Sequence, residues 1–428
     1  METVNYGEFS RELHEHLATD RHPSNATIEV TRRCPLVCAH CYNNLAMNDT
    51  EARNSELTLE EHYRLLDELA EAGCLWLLYT GGEIFARRDF LDIYTYAKRK
   101  GFLITLFTNG TLITPKIADY LVEWRPFAIE ITLYGRTRET YERLTGIPGS
   151  FDKCMRGIEL LLERKLPLSL KSVGVTINRH EIWDMKRYAE EELGVGFKFD
   201  ALMSPRIDCS QSPLAVRLTP EETVELDLQD PRRIAEWKKF AARFGGPVNA
   251  PEHSDDVYHC GGGLNSFAVD PQGRMSICVL SHFDSYDLRR GSFSEGWHDF
   301  LSKVRSRKMT MQTKCVKCEI KAMCGMCPAN GELESGHAEK PVDYLCHVAH
   351  LRARSFDLEV PPHGDCEYCE GGSRYDELSA SVASLRGRAG DRVMNVESHN
   401  SRNLPVMNAA SSDNSCGSGG GCSSCSAH

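Results

Sequence analysis

The sequence predicts an α/β protein: a partial (β/α)6 TIM-like barrel, then a small cysteine-rich domain, then a flexible C-terminal tail. Three observations predict it. Short apolar runs alternate with helix-patterned runs over the first two hundred residues, seven of the 18 cysteines fall between Cys260 and Cys346, and beyond Met407 there is no Leu, Ile, Val, Phe, Tyr or Trp. Strands that alternate with helices build parallel sheets. A Ser- and Gly-rich segment without large apolar residues cannot bury enough surface to order itself.

The first strand is the β-branched run 26–31, and a helix over 59–72 follows with Leu65, Leu66, Leu69 and Ala72 at helical spacing. The apolar run 74–80 is a second strand ended by Gly81-Gly82. Helix 90–100, strand 102–108, helix 115–124, strand 127–133, helix 151–164, strand 168–177, helix 179–193 and strand 196–203 complete six strands. A barrel of this kind carries its active site at the C-terminal ends of the strands. From about residue 205 the alternation stops, and 205–255 reads as a connector with helices over 220–227 and 234–244. The expected organisation is an N-terminal extension 1–25, a core domain 26–240, a cysteine-rich domain 255–360 and a largely disordered tail 361–428, with 379–410 as a flexible linker.

Hydrophobic residues make up 41% and charged residues 26%, the balance of an ordinary soluble protein. The formal charge of −11 argues against nucleic-acid binding through phosphates. Residues 1–25 contain no apolar signal core, and the early apolar stretch 74–79 is too short to span a bilayer. The expectation is a cytoplasmic protein with no membrane partner. In a reducing compartment, closely spaced cysteines point to metal or redox chemistry rather than disulfides.

The first constellation is Cys34-x3-Cys38-x2-Cys41, just after the first strand. Three thiolates in eight residues can wrap one metal centre, either zinc with a fourth ligand such as His40 or a four-iron cluster with one open iron. Gly81-Gly82-Glu83 ends the second strand, Thr108-Asn109-Gly110 the third, and Ile131-Thr132-Leu133-Tyr134-Gly135 the fourth. A double glycine leaves backbone groups able to approach a small ligand closely. The second constellation is Cys260-x12-Gly273-x4-Cys278, then Cys315-x2-Cys318-x5-Cys324-x2-Cys327, then Cys346. Alone, its paired spacings read as zinc.

Together these motifs resemble the radical S-adenosylmethionine (SAM) superfamily, and the second constellation resembles the SPASM domain of its peptide- and protein-maturing members. It departs from that pattern by x2 rather than x3 before Cys327. The resemblance implies a 4Fe-4S cluster on Cys34, Cys38 and Cys41 whose open iron chelates SAM. Reductive cleavage of SAM there yields a 5′-deoxyadenosyl radical. It implies cofactor contacts from Gly81, Gly82, Glu83, Thr108, Asn109 and Thr132, although Thr and Tyr stand at 132 and 134 where relatives often carry Ser and Asp. It implies two auxiliary 4Fe-4S clusters, a distal one on Cys315, Cys318, Cys324 and Cys346 and a proximal one on Cys260, Cys278 and Cys327. His259 and Cys366 are candidates for the missing proximal ligand by their place in the sequence.

The function this implies is oxidation, crosslinking or thioether formation in a peptide or protein substrate, with a flavodoxin or ferredoxin as reductant and a separate leader-binding protein as a possible partner. A small molecule or tetrapyrrole substrate is the alternative, and a non-catalytic iron–sulfur electron carrier is disfavoured because a carrier needs no SAM site. No catalytic acid or base is named by the sequence. Cys74 and Cys154 read as buried hydrophobes, Cys209 as a loop thiol near the barrel mouth, and Cys366-x2-Cys369 as a third small metal site or an idle pair. Arg206 and Arg217 are candidates to line an anion-accepting cavity, with surface arginine as the plainer reading. Cys416, Cys422 and Cys425 in the tail suit an inert extension, a metal-handling arm or a substrate modified in cis.

Overall fold

The computed structural model describes residues 12–13, 21–245 and 255–396. Six parallel strands run in sequence order across one sheet: β1 (Asn25–Thr31), β2 (Trp76–Gly81), β3 (Leu103–Thr108), β4 (Ala128–Thr132), β5 (Leu168–Val173) and β6 (Phe197–Asp200). Helices α1 (Leu59–Glu71), α2 (Phe90–Arg99), α3 (Pro115–Glu123), α4 (Arg138–Thr145), α5 (Ser150–Glu163) and α6 (Ile182–Arg187) connect them. Local chemistry starts these helices where the pattern begins. Thr58 and Glu61 close a capping box on α1, Thr114 caps α3 ahead of Pro115, and Thr137 caps α4.

The sheet does not stop at six strands. β7 (Ser266–Val269) pairs in parallel with β1, and β8 (Arg274–Ser276) and β9 (Tyr286–Asp287) extend it in antiparallel fashion. The cysteine-rich region is therefore not one separate domain beginning at 255. Its first part shares the barrel core, where Phe267, Val269, Met275, Phe293 and Trp297 are buried with Ile28, Leu66 and Leu69. Its second part has a core of its own. Ile320, Met323, Leu345, Val348, Leu351 and Phe356 pack there with Leu202, Val224 and Leu228 from the end of the barrel.

The second core is framed by α7 (Pro220–Leu228), α8 (Pro231–Phe244), α9 (Pro328–Ser335), α10 (Asp343–Ser355) and α11 (Tyr375–Val396). Asp227 on α7 and Arg352 on α10 form an ion pair at 2.8 Å with each side chain 2% exposed. Arg233 adds a second bond to Asp227 at 2.7 Å, and Arg352 also donates to the Met323 carbonyl at 2.8 Å. A buried pair satisfied on this many sides fixes the two helices in one register.

The structure corrects four expectations. The fifth strand ends at Val173, because Val175 donates to the Asn178 side chain at 2.9 Å and the chain turns. The run 179–193 is a 3-10 turn, the short α6 and a π-turn rather than one helix. The helix α4 was not read from the sequence. Residues 361–396 are folded, not disordered: α11 buries Leu378, Val382 and Leu385 at helical spacing, so the linker reading fails over its first part. Residues 397–428 with the three tail cysteines, and most of the N-terminal extension, lie outside the described residues. Among the described residues, no helix is long and apolar enough to cross a membrane.

Candidate active site at the strand ends

Beyond β1, the chain makes a closed loop. Arg33–Cys34 pairs in parallel with Leu45–Ala46, and Leu45 donates to the Arg32 carbonyl at 2.7 Å. The loop between them presents Cys34, Cys38 and Cys41. It is tied to the end of α4 by Val37 N–H to Thr145 O at 2.9 Å and Ala39 N–H to Leu144 O at 3.0 Å. Arg206, after β6, clamps it from the other side through the carbonyls of Cys41 (3.2 Å) and Asn44 (3.0 Å). Arg206 is thus a brace for the cysteine loop rather than part of an anion cavity. Arg217 is likewise used internally, in a bidentate pair with Glu334 and stacked on Tyr344.

The three thiols share one environment. Cys34 Sγ accepts from the Leu36 N–H and from Asn109 Nδ2, both at 3.4 Å. Burial pushes all three thiols above the ordinary cysteine range, and for Cys38 the neighbouring Cys41 and Cys34 push further in the same direction. Tyr134 donates to Cys38 and packs its ring against His40 at 5.3 Å. The Tyr that departs from the family pattern therefore reaches the cysteine loop itself. Three adjacent thiols, Cys34 buried and Cys38 and Cys41 half-buried, resist ionisation unless a cationic group compensates them. Donors already aimed at sulfur fit the thiolate form, so the residues present suit a cluster.

Gly81 (φ +135°) and Gly82 serve the close approach of the ends of β1 and β2. A Cβ on Gly81 would lie 2.0 Å from the Thr31 carbonyl oxygen, and one on Gly82 would lie 2.4 Å from that of Arg32. The Gly82 N–H bonds to Thr31 O at 2.8 Å and the Glu83 N–H to Arg33 O at 3.1 Å. These two N–H groups are used within the fold, so of the backbone groups expected to meet a ligand they are not open to one. Glu83 is 1% exposed, and its carboxylate accepts from Thr108 Oγ1 (2.7 Å), Asn109 N–H (2.8 Å) and Phe85 N–H (3.2 Å). Burial raises its carboxyl to about 7. Asn109, held this way, turns its amide nitrogen to Cys34 and its oxygen to Thr111. Sequence motifs on β1, β2 and β3 thus form one hydrogen-bonded chain from Glu83 to Cys34.

The barrel interior carries charges that the sequence reading passed over. Glu130, Lys171 and Lys198 lie on neighbouring strands, with Thr132 in register with Lys171 and Lys171 with Lys198. Lys198 reaches Glu130 at 2.9 Å and Lys171 reaches it at 3.6 Å. The Lys171 ammonium sits over the Phe107 ring, and burial lowers its titration to about 7. The signal was present: a lone charge at the centre of the buried strands AIEIT and LSLKSV.

In the second constellation, a Cβ on Gly262 would lie 3.4 Å from Cys260 Sγ and 2.9 Å from the carbonyl oxygen of Ile277, the residue before Cys278, and the Ser281 N–H bonds to Cys278 Sγ at 3.2 Å. Ser281 also donates to Glu332 on α9, the helix that Cys327 begins. Cys315, Cys318 and Cys324 sit on two short 3-10 turns. Burial and then the charge of Cys315 raise Cys324 to about 12, and Cys324 in turn acts on Cys346. The four thiols expected in the distal set are therefore neighbours. Cys366 adjoins Cys346 and so falls beside the distal set, not in the proximal one. Cys74 and Cys154 are buried, and Cys209 is half-buried in a turn at φ +65°.

Residues 28–189 match the model of the radical SAM superfamily. An Fe-coproporphyrin III synthase of Methanosarcina barkeri is 35% identical over 80% of this chain and 94% of its own length. An AdoMet-dependent heme synthase of Oleidesulfovibrio alaskensis is 28% identical over 73% and 85%. A PqqA peptide cyclase of Rhodopseudomonas palustris is 26% identical over 78% and 89%. Among solved structures, Streptococcus suis SuiB bound to S-adenosylmethionine superposes with a TM-score of 0.56 at 15% identity, covering 77% of this chain and 78% of that one. Native anSMEcpe with bound AdoMet gives 0.56 at 16%, covering 77% and 97%. With its barrel, its strand-end cysteine loop and these relatives, the chain belongs to the radical SAM superfamily, as an enzyme with a SPASM-type cysteine-rich region that uses SAM and 4Fe-4S clusters.

Proposed function

We propose that the enzyme modifies a carboxylate-bearing side chain of an iron tetrapyrrole, with Cys34, Cys38 and Cys41 holding the SAM-binding cluster. The observation that carries this reading is the 35% identity to an Fe-coproporphyrin III synthase, sustained over nearly the whole of that relative. The barrel strands support it, because Lys171 and Lys198 stand in register on neighbouring strands and suit a substrate rich in carboxylates. When bound, SAM and its cluster supply a 5′-deoxyadenosyl radical that takes a hydrogen atom from the substrate.

The chain's own residues do the rest. Asn109 and the Leu36 N–H stabilise Cys34 as a thiolate, Tyr134 does so for Cys38, and Arg206 keeps their loop closed. Glu83 acts as a positioning residue for Thr108 and Asn109, and Gly81 and Gly82 let β1 and β2 meet beneath them. Thr132 borders the cofactor face. Lys171 and Lys198 hold substrate carboxylate, with Glu130 balancing their charge and Phe107 keeping water from Lys171. Cys315, Cys318, Cys324 and Cys346 would hold one auxiliary cluster and Cys260, Cys278 and Cys327 another, and such clusters would supply one-electron redox chemistry. A flavodoxin- or ferredoxin-type protein serves as reductant.

A second reading, peptide modification, is favoured by the similarity to PqqA peptide cyclase. One assay separates the two. The anaerobically reduced enzyme is given SAM with either iron tetrapyrroles that carry carboxylate side chains or short peptides encoded beside its gene. Formation of 5′-deoxyadenosine matched by a mass change on the tetrapyrrole supports the first reading. A mass change confined to a peptide overturns it in favour of the second.

A further inference from the structure

Beside the second core, and in contact with the distal cysteines Cys318 and Cys346 through His363 and Cys366, four side chains converge that are not among the ten cysteines assigned to clusters. They are His350 on α10 and His363, Cys366 and Cys369 on the segment leading to α11. Their ligand atoms all lie within 4.8 Å of one another, and all four residues are buried. His350 Nε2 is 3.4 Å from Cys366 Sγ and 3.8 Å from Cys369 Sγ, and His363 Nδ1 is 3.4 Å from Cys369 Sγ. A tetrahedral zinc ion with Zn–S of about 2.3 Å and Zn–N of about 2.0–2.1 Å sets sulfur and nitrogen roughly 3.6 Å apart. The observed separations bracket that value. A four-iron cube places its own core between its ligands and holds them further apart.

Two further features point the same way. The His350 Nδ1 lies 2.7 Å from the Cys346 carbonyl. That bond places the ring proton on Nδ1 and leaves Nε2 as a lone pair facing both sulfurs, the arrangement that fixes a metal-binding imidazole. The Cys366–Cys369 turn is wound tightly by Cys369 N–H to Cys366 O at 3.3 Å and Gly372 N–H to Cys369 O at 2.8 Å. A Cβ on Gly372 would stand 2.4 Å from the Glu367 oxygen and 2.5 Å from that of Cys366, so the turn closes only around glycine. The result is a CxxC knuckle whose two thiols face two imidazoles.

We propose that His350, His363, Cys366 and Cys369 bind one zinc ion in a tetrahedral Cys2His2 site distinct from every iron–sulfur cluster. The ion closes a clasp between α10 and the segment that launches α11, adding to the bonds of Tyr368 and Arg374 to Asp343 and the Tyr368 ring stacked on His347. Zinc is redox-inert, so it adds a crosslink beside the distal cysteines without offering their electrons another acceptor. The proposal does not depend on which substrate the barrel takes.

The full chain is expressed with zinc and iron supplied, reconstituted anaerobically, and analysed for both metals and by zinc-edge X-ray absorption. The expected result is about one zinc per chain with two sulfur and two nitrogen neighbours at the distances above. Cys366→Ser/Cys369→Ser should lose the zinc and keep both its iron content and its formation of 5′-deoxyadenosine from SAM. Loss of about four irons from this variant would overturn the proposal by placing the pair on a cluster. A wild-type protein without zinc, or with an oxygen-rich zinc environment, would overturn it equally, and this measurement stands even if the variant fails to fold. Failure of the radical SAM reading would show separately, as absent 5′-deoxyadenosine in the wild type.

Discussion

Cys34 of the barrel and Cys324 of the cysteine-rich region are both thiols that burial makes harder to ionise, yet they are placed by different means. Cys34 follows directly on a strand paired on both sides, and its loop is pinned by α4, by Asn109 and by Arg206. Cys315 lies in a four-residue 3-10 turn that Cys318 ends, and Cys324 ends a three-residue one, with helices packed around them. Backbone ladders hold the first site in shape before any cluster arrives. The second gathers its thiols from separated turns, so metal binding there is coupled to folding.

The comparison can be sharpened most by removing each side in turn. Alanine at Cys34, Cys38 and Cys41 together should abolish 5′-deoxyadenosine formation and remove about four irons, while the iron of the second region stays. Retained SAM cleavage would break the assignment of the barrel site. Asp227→Ala leaves Arg352 buried without its partner, which costs about 3–5 kcal/mol. Hydrogen exchange should then quicken across α7, α10 and the 3-10 turns and stay slow in β1 to β4. Uniform loss of protection would mean that the two regions unfold as one.

Lys171→Met should leave SAM cleavage intact but uncouple it from substrate. Losing one charge-assisted contact, worth about 1.5–3 kcal/mol, lowers kcat/KM roughly 10–100-fold. An unchanged kcat/KM would remove Lys171 from the substrate site. The smallest effect is in pH. Lys171 titrates at about 7, charged below and neutral above, because burial disfavours its ammonium. KM for a carboxylate substrate should be lowest below that pH and rise above it, by up to about tenfold per unit. Lys171→Arg should remove the rise, since a guanidinium stays charged throughout. A KM flat across neutrality in the wild type would contradict this.

Much of the barrel was legible because its strands and helices differ in period, and because each motif falls where a strand ends. Cys34, Gly81, Glu83, Thr108 and Thr132 were singled out in this way, and the structure brings their strand ends together. Three things were not legible. The partner of β7 is a register fact between residues 241 positions apart in Asn25 and Ser266, and nothing in the four residues SFAV announces it. The order of α11 was hidden by the composition of the tail behind it, though Leu378, Val382 and Leu385 carried the period. The destinations of Arg206 and Arg217 depended on which carbonyl or carboxylate the fold would bring to them, and sequence gives no distance. Glu130 and Lys171 could have been flagged, since charges inside doubly covered strands are rare unless paired.

The parallel pairing of β1 with β7 has a consequence during synthesis. β1 is an interior strand, yet one of its two neighbours leaves the ribosome some 240 residues after it. At about 5–20 residues per second, that edge stays unpaired for roughly ten to fifty seconds. Its exposed segment is the β-branched run that leads into the cysteine loop, so the nascent barrel presents an open ladder and three thiols to its surroundings at once. Chaperone contact, or early delivery of iron and sulfide to the emerging loop, would matter most in that interval.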